Sequence, residues 1–133
     1  MANAVYPKGK ERILAAAINF PSDTLKVALL KSAYAYSAAH EFLSDLGSNR
    51  LGTDATLTGK TTTNGQFDAD DPTFAAVAPG DTAAFLVIYK DTGVAGTSPL
   101  LFFFDQITGF PVATNGGDIT PQWDNATRRI YTL

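Results

Sequence analysis

Hydrophobic positions in this chain follow two rhythms. Early on, Ile13, Leu14, Ala17 and Ile18 recur at helical spacing, with Lys10, Glu11, Arg12 and Asn19 elsewhere on the wheel. That pattern predicts an amphipathic helix over residues 8–20, ended by Pro21. The period then shortens to two. In TLKVALLKS, Leu25, Val27 and Leu29 share one face of a strand, and Lys26, Ala28 and Leu30 share the other. SAAHEFLSDL, residues 37–46, returns to helical spacing. Ser37 would cap this short helix, Ala39, Phe42, Leu43 and Leu46 would form its inner face, and Gly47 would stop it.

The remainder reads as β structure. Residues 54–63 are threonine-rich and extended, and Asn64-Gly65 is a strong hairpin signal, because both residues tolerate the positive φ of a type I′ turn. The return strand, 66–70, then sets Thr63 against Gln66, Thr61 against Asp68 and Gly59 against Asp70. Two long apolar strands follow, 82–90 and 99–107, joined by DTGVAGTS. TGFPV and NGG mark turns, and residues 118–125 and 128–133 suggest a last hairpin. These elements predict a mainly β fold: an antiparallel β-sandwich or small barrel with an N-terminal helix and one short additional helix. The organisation expected is an N-terminal arm, residues 1–7, and a single β-rich domain, residues 8–133.

The two apolar strands pose a packing problem. Phe85, Val87 and Tyr89 point one way, Leu86 and Ile88 the other. In the next strand Leu100, Phe102 and Phe104 oppose Leu101 and Phe103. A strand wet on one side alternates with polar residues. These do not, so both faces need a cover. A second sheet is one cover. The other is either the N-terminal helix, which makes these rows an internal core, or a second protein chain. On the latter reading Phe102, Phe103 and Phe104 are contact candidates.

Composition narrows the function classes. The chain has 133 residues, no cysteine, a formal net charge of -3 and 45% apolar residues. A domain of this length buries roughly two thirds of its unfolded surface and needs no staple. Without cysteine there are no disulfides, thiolate metal sites or cysteine nucleophiles. The basic pairs Lys8/Lys10 and Arg128/Arg129 make no basic face, which argues against nucleic acid. No apolar run approaches the ~20 residues of a membrane span. Basic residues before ILAAAI imitate a signal peptide, but the run is short and lies between Glu11 and Asn19.

Candidate chemistry is sparse. LTGKTT holds the GKT of a phosphate loop, but the earlier glycine is missing at Asp54 and the segment enters a hairpin, not a helix. His40 is the sole histidine, reads as solvated on its helix, and has no nucleophile elbow to serve. FDADDPTF, residues 67–74, crowds Asp68, Asp70 and Asp71 together. Pro72 and Phe74 take ligand positions of a calcium loop, and no glutamate follows. The hairpin register puts Asp68 and Asp70 on a threonine-lined face, with Phe67 and Ala69 opposite. A solvated edge accounts for all three acids. Trp123 is the single tryptophan, either a core residue or part of a sugar-stacking platform. No catalytic, metal or cofactor-binding residue is therefore assigned, and no enzyme is expected.

Several blocks carry a resemblance through their order and spacing. They are SDTLKVALL (22–30), YAYSAAHEFLSDL (34–46), LTGKT (57–61), FDADDPTF (67–74), LVIYKDTG (86–93) and TGFPVATNGGDITPQWDN (108–125). Over nearly its whole length the chain resembles a family of small structural proteins encoded among the virion genes of tailed bacteriophages. The resemblance implies a virion component with no cofactor, made in the host bacterial cytoplasm. Its leading form is a capsid decoration (cement) protein on the capsid surface, whose partner is the major capsid protein. Such a protein also associates with itself, as a homo-oligomer such as a trimer, and gains by avidity. The arm, with Val5 and Tyr6 at its end, is then a candidate grip. The alternative is a tail- or fibre-associated adhesin that stacks a host glycan on Trp123 and exposed tyrosines.

Overall fold

The computed structural model describes residues 4–105, 107, 109–121 and 131–132. A six-stranded antiparallel sheet forms its centre. The strands are β1 (Ala4–Val5), β2 (Leu25–Lys31), β3 (Arg50–Thr56), β5 (Thr82–Lys90), β6 (Leu100–Phe104) and β7 (Val112–Ala113). Their order is β1-β6-β5-β2-β3, with β7 paired to β5. A second sheet joins β4 (Gln66–Phe67) to β8 (Tyr131–Thr132). One helix, α1 (Pro7–Leu14), and two 3₁₀ turns complete the elements. The fold is thus mainly antiparallel β and sandwich-like. Among the described residues the central sheet runs from β1 at one edge to β3 at the other.

Alternation in β2 and β5 divides the sheet into two dry faces. Leu25, Val27, Leu29, Leu86 and Ile88 enter one core, and Ala28, Leu30, Val87 and Tyr89 enter the other. Strand β6 departs from simple alternation. Ile88 pairs with Phe102, but Tyr89 pairs with Leu100, so a bulge adds a residue to β6. The extra residue reverses parity. Leu100 therefore joins Phe103 on the second face, while Leu101 joins Phe102 and Phe104 on the first. The sequence pattern had placed Leu100 with Phe102.

Both covers come from this chain. The first face is closed by Leu57, Phe67, Ala69, Phe74 and Val77, and by Ile18 from the segment after α1. Phe20 sits 4.8 Å from Phe67 and 6.0 Å from Phe102, ring centre to ring centre. The second face is closed by Tyr6, Tyr34, Leu43 and Leu46. Burying each phenylalanine is worth ~2–3 kcal/mol, which is why a row of them recruits a lid on each side.

Two helical expectations need correction. The first helix stops at Leu14, short of the predicted end at residue 20, and Leu14 is 88% exposed. Ala16 turns left-handed at φ 58°, so Ala17 never completes the predicted stripe. Ile13 still packs against the first core, and the helix also meets the sheet at Gly9, where a Cβ would lie 2.7 Å from the Leu100 carbonyl oxygen. Only glycine allows that approach. The second predicted helix, 37–46, is not α-helical. Its end is a 3₁₀ turn, Leu43–Leu46, and Phe42 is extended at φ -119° and ψ 162°. The backbone here pairs with the start of β6: Leu43 N–H donates to Ser98 O (2.8 Å) and Leu100 N–H to Glu41 O (2.9 Å). Strand-like bonds to a neighbour win over a helix too short to stand alone.

The hairpin at Asn64-Gly65 forms as its sequence predicts. Asn64 and Gly65 have φ of 55° and 74°, and Gln66 N–H closes the turn on Thr63 O. Thr61 and Asp68 exchange both backbone bonds, at 2.8 and 3.0 Å. Further out the register slips: Asp70 N–H reaches Thr58 O rather than Gly59 O. Most of the final hairpin expected from 118–125 and 128–133 lies outside the described residues. Ile119 bridges Phe74, and β8 pairs with β4. Part of the expected arm is also built in: Ala4 and Val5 pair with Phe103 and Phe102, and Tyr6 N–H donates to Leu101 O at 2.9 Å.

Candidate functional site

The residues singled out by sequence fall into different surroundings. Phe102, Phe103 and Phe104 are 1%, 2% and 8% exposed, and Tyr6 is fully buried. In this chain they serve the core rather than offering a contact surface. Val5 is half-buried against the first core. Trp123, Arg128 and Arg129 lie outside the described residues. Tyr34 and Tyr89 are buried and Tyr36 is half-buried, so these three, like Tyr6, are not an exposed stacking platform.

The acidic stretch splits as its alternation demands. Phe67, Ala69, Pro72 and Phe74 are buried, Asp68 is half-buried, and Asp70 and Asp71 are exposed. The edge is not bare, however: Phe67 pairs with Tyr131 on one side and Phe74 with Ile119 further on. A polar cleft of about 180 Å³ lies over Gly59, Thr61 and the three acids. The Asp70 carboxylate packs against Gly59, whose φ of 63° favours glycine. Among the described residues no group of three or more His, Asp or Glu side chains converges to hold a metal ion.

His40 is not solvated as its predicted helix would have made it. Its Nδ1 lies 2.7 Å from the Tyr34 hydroxyl, which lies 2.8 Å from the Tyr6 hydroxyl. The chain of three groups runs inward from a half-buried imidazole to a fully buried phenol. Burial pushes both the Tyr6 and the Tyr34 hydroxyl pKa up, so both are protonated at neutral pH.

A larger groove, about 630 Å³, opens between β3 and the loop after β5. A bulge builds it. Val27 pairs with Ala55 and Leu29 with Leu51, so Gly52, Thr53 and Asp54 together face the single residue Ala28. Gly52 takes φ 65° to allow this. In a regular strand residues 50 and 54 stand about 13 Å apart. Here the bulge brings Arg50 within 2.6 Å of Asp54. The Tyr89 hydroxyl donates to the same Asp54 oxygen, Oδ2, at 2.5 Å. The Asp54 side chain is only 9% exposed. Burial first, then the Asp54 carboxylate, push the Tyr89 pKa up. Lys26 and Asp91 pair beside them at 3.2 Å, and Gly93 N–H holds the Asp91 carboxyl below its usual range. Two cations face two anions, so the groove carries no net charge and repels neither sign. Sequence reasoning missed this groove. The available signal was a glycine, Gly52, inside a strand pattern, which marks a bulge.

No family model matches the chain, and no curated protein or solved structure matches it either. No described helix is long and apolar enough to cross a membrane.

Proposed function

We propose that this protein is a structural component of a bacteriophage particle: a capsid decoration protein that binds the outside of the shell and bridges major capsid protein subunits. The resemblance of its sequence blocks, in order and spacing, motivates the reading. The observation that carries it is the doubly covered sheet. Both faces are filled by this chain itself, which makes a stiff, self-sufficient body of the kind a lattice clamp needs. Because the aromatic rows are internal, contacts to capsid and to other copies fall to edges and loops. Residues 4–6 are tied to β6, so a grip at the N-terminus would use residues 1–3. Quantitative mass spectrometry of purified particles tests the reading. Hundreds of copies per particle are expected, and a handful would overturn it.

A second reading is favoured by the groove: a tail- or fibre-associated adhesin for a host surface glycan. The charge-balanced walls and the nearly buried Asp54 suit hydroxyl groups, which both donate and accept. A glycan array decides it. Ala95→Trp fills the groove from an exposed rim position and should abolish any genuine signal. Binding unchanged by that variant would exclude this groove as the site.

A further inference from the structure

The chain holds two Asn-Gly pairs in described turns, Asn64-Gly65 and Asn115-Gly116, and they are held differently. At the second pair, Gly117 N–H donates to Asn115 Oδ1 at 2.9 Å. Gly116 N–H donates to Val77 O at 2.8 Å. Both the carboxamide and the following backbone nitrogen are therefore engaged. At the first pair, the closing bond runs from Gln66 N–H to Thr63 O and uses neither the Asn64 side chain nor the Gly65 nitrogen. Asn64 and Gly65 are both exposed, and nothing lies within 4 Å of where a Gly65 Cβ would stand.

We propose that Asn64 is a site of spontaneous covalent modification, in which its carboxamide is converted to isoaspartate and aspartate through a cyclic imide with Gly65. The Gly65 backbone nitrogen attacks Asn64 Cγ and forms a new C–N bond. The Cγ–Nδ2 bond breaks, and ammonia leaves with the proton of the Gly65 amide. Water then adds to either carbonyl of the ring and breaks one of its two C–N bonds. Opening on one side restores a normal backbone with an aspartate; opening on the other runs the backbone through the side chain. Water is the only co-reactant, and no redox change occurs. Glycine at position 65 matters because no side chain hinders the attack.

The position gives the reaction a structural consequence. Isoaspartate inserts a methylene into the two-residue turn that sets Thr61 opposite Asp68. Either product also adds a negative charge to a hairpin already carrying Asp68 and Asp70. Modification thus loosens the lid that brings Phe67 and Ala69 onto the first core. This inference does not rest on the virion reading.

Peptide mapping by mass spectrometry tests it on the full folded chain, aged in warm, mildly alkaline buffer. The Asn64 peptide is expected to gain the acid mass, with isoaspartate as a resolved product. The Asn115 peptide should lag by roughly tenfold or more, because its two hydrogen bonds must break first. Equal rates at the two sites, or an Asn64 that stays an amide, would overturn the proposal. The same experiment in denaturant supplies the control. There the two rates should converge; a lag of Asn115 that persisted would show that neighbouring sequence, not the fold, sets the difference.

Discussion

Phe102 and Phe103 are neighbours in sequence and equally buried, yet they face two chemically different interiors. Phe102 meets phenylalanines and aliphatic side chains, closed over by segments from residues 57–77 and by Phe20. Phe103 meets Tyr6, Tyr34 and Tyr36 as well as Phe85. The first interior is lined by apolar side chains, and its lid is tied down through backbone bonds such as Leu57 N–H to Leu25 O and Phe74 N–H to Ile119 O. The second adds a hydrogen-bonded chain, Tyr6–Tyr34–His40, that accepts only one arrangement of its lid. An apolar lid can slide at small cost. A lid carrying a buried hydroxyl must keep its partner or pay for the orphan.

The largest effect separates area from arrangement. Phe102→Ala is expected to lower stability by about 3–5 kcal/mol, measured by urea unfolding. A loss below ~1 kcal/mol would mean that the first lid collapses into the space and that its packing is loose. Next comes the second interior. Tyr34→Phe removes only an oxygen but strands the Tyr6 hydroxyl in a dry site, at a cost of about 1–3 kcal/mol. Tyr6→Phe in the same background should recover much of that loss, since no buried hydroxyl is left without a partner and the half-buried His40 can turn to water. Strictly additive losses in the double variant would show that the two hydroxyls are not coupled.

The same comparison explains what could be read from sequence. Alternation in 25–30 and 85–89 assigned the faces correctly, because a strand with two dry sides has no choice but period two. Parity failed at Leu100, where a bulge adds a residue that hydrophobicity cannot register. The turn at Asn64-Gly65 was legible because its geometry is local: both residues accept positive φ. The helix over 37–46 was not, because its backbone is claimed by residues 98–100, far away in sequence. Gly9 and Gly52 carried the missed information. One marks where a helix touches backbone, the other where a strand buckles to bring Arg50 to Asp54. Glycine advertises that something is close without saying what, so the groove stayed hidden until the chain was folded. The lids, too, are formed by segments with little pattern of their own, whose apolar residues gain meaning only from the sheet beneath.

Acid offers a finer probe of the second lid. The segment 41–46 is pinned by one carboxylate: Asp45 Oδ2 accepts the backbone N–H groups of Glu41 and Phe42, at 2.8 and 3.0 Å. Those two bonds, with a smaller contribution from His40, hold the Asp45 pKa below its usual value. A depressed folded pKa stabilises the protein above the unfolded value of about 3.9, and that stabilisation is lost as pH falls through the folded value. Asp23 and Asp91 are lowered in the same direction, by the N–H groups of Asn19 and Gly93. The whole protein should therefore melt at lower temperature near pH 3 than at neutrality. Asp45→Asn keeps an acceptor oxygen but cannot titrate, so its melting temperature should fall less steeply with acid than the parent's. Hydrogen exchange at Leu43 and Leu46 localises the effect. In the parent these amides should lose protection with acid before those of Leu86 and Ile88 in the central strand, and the variant should narrow the gap. An identical acid profile in parent and variant would mean that Asp45 holds a turn which the lid does not need, and that Leu43 and Leu46 are fixed by their burial alone.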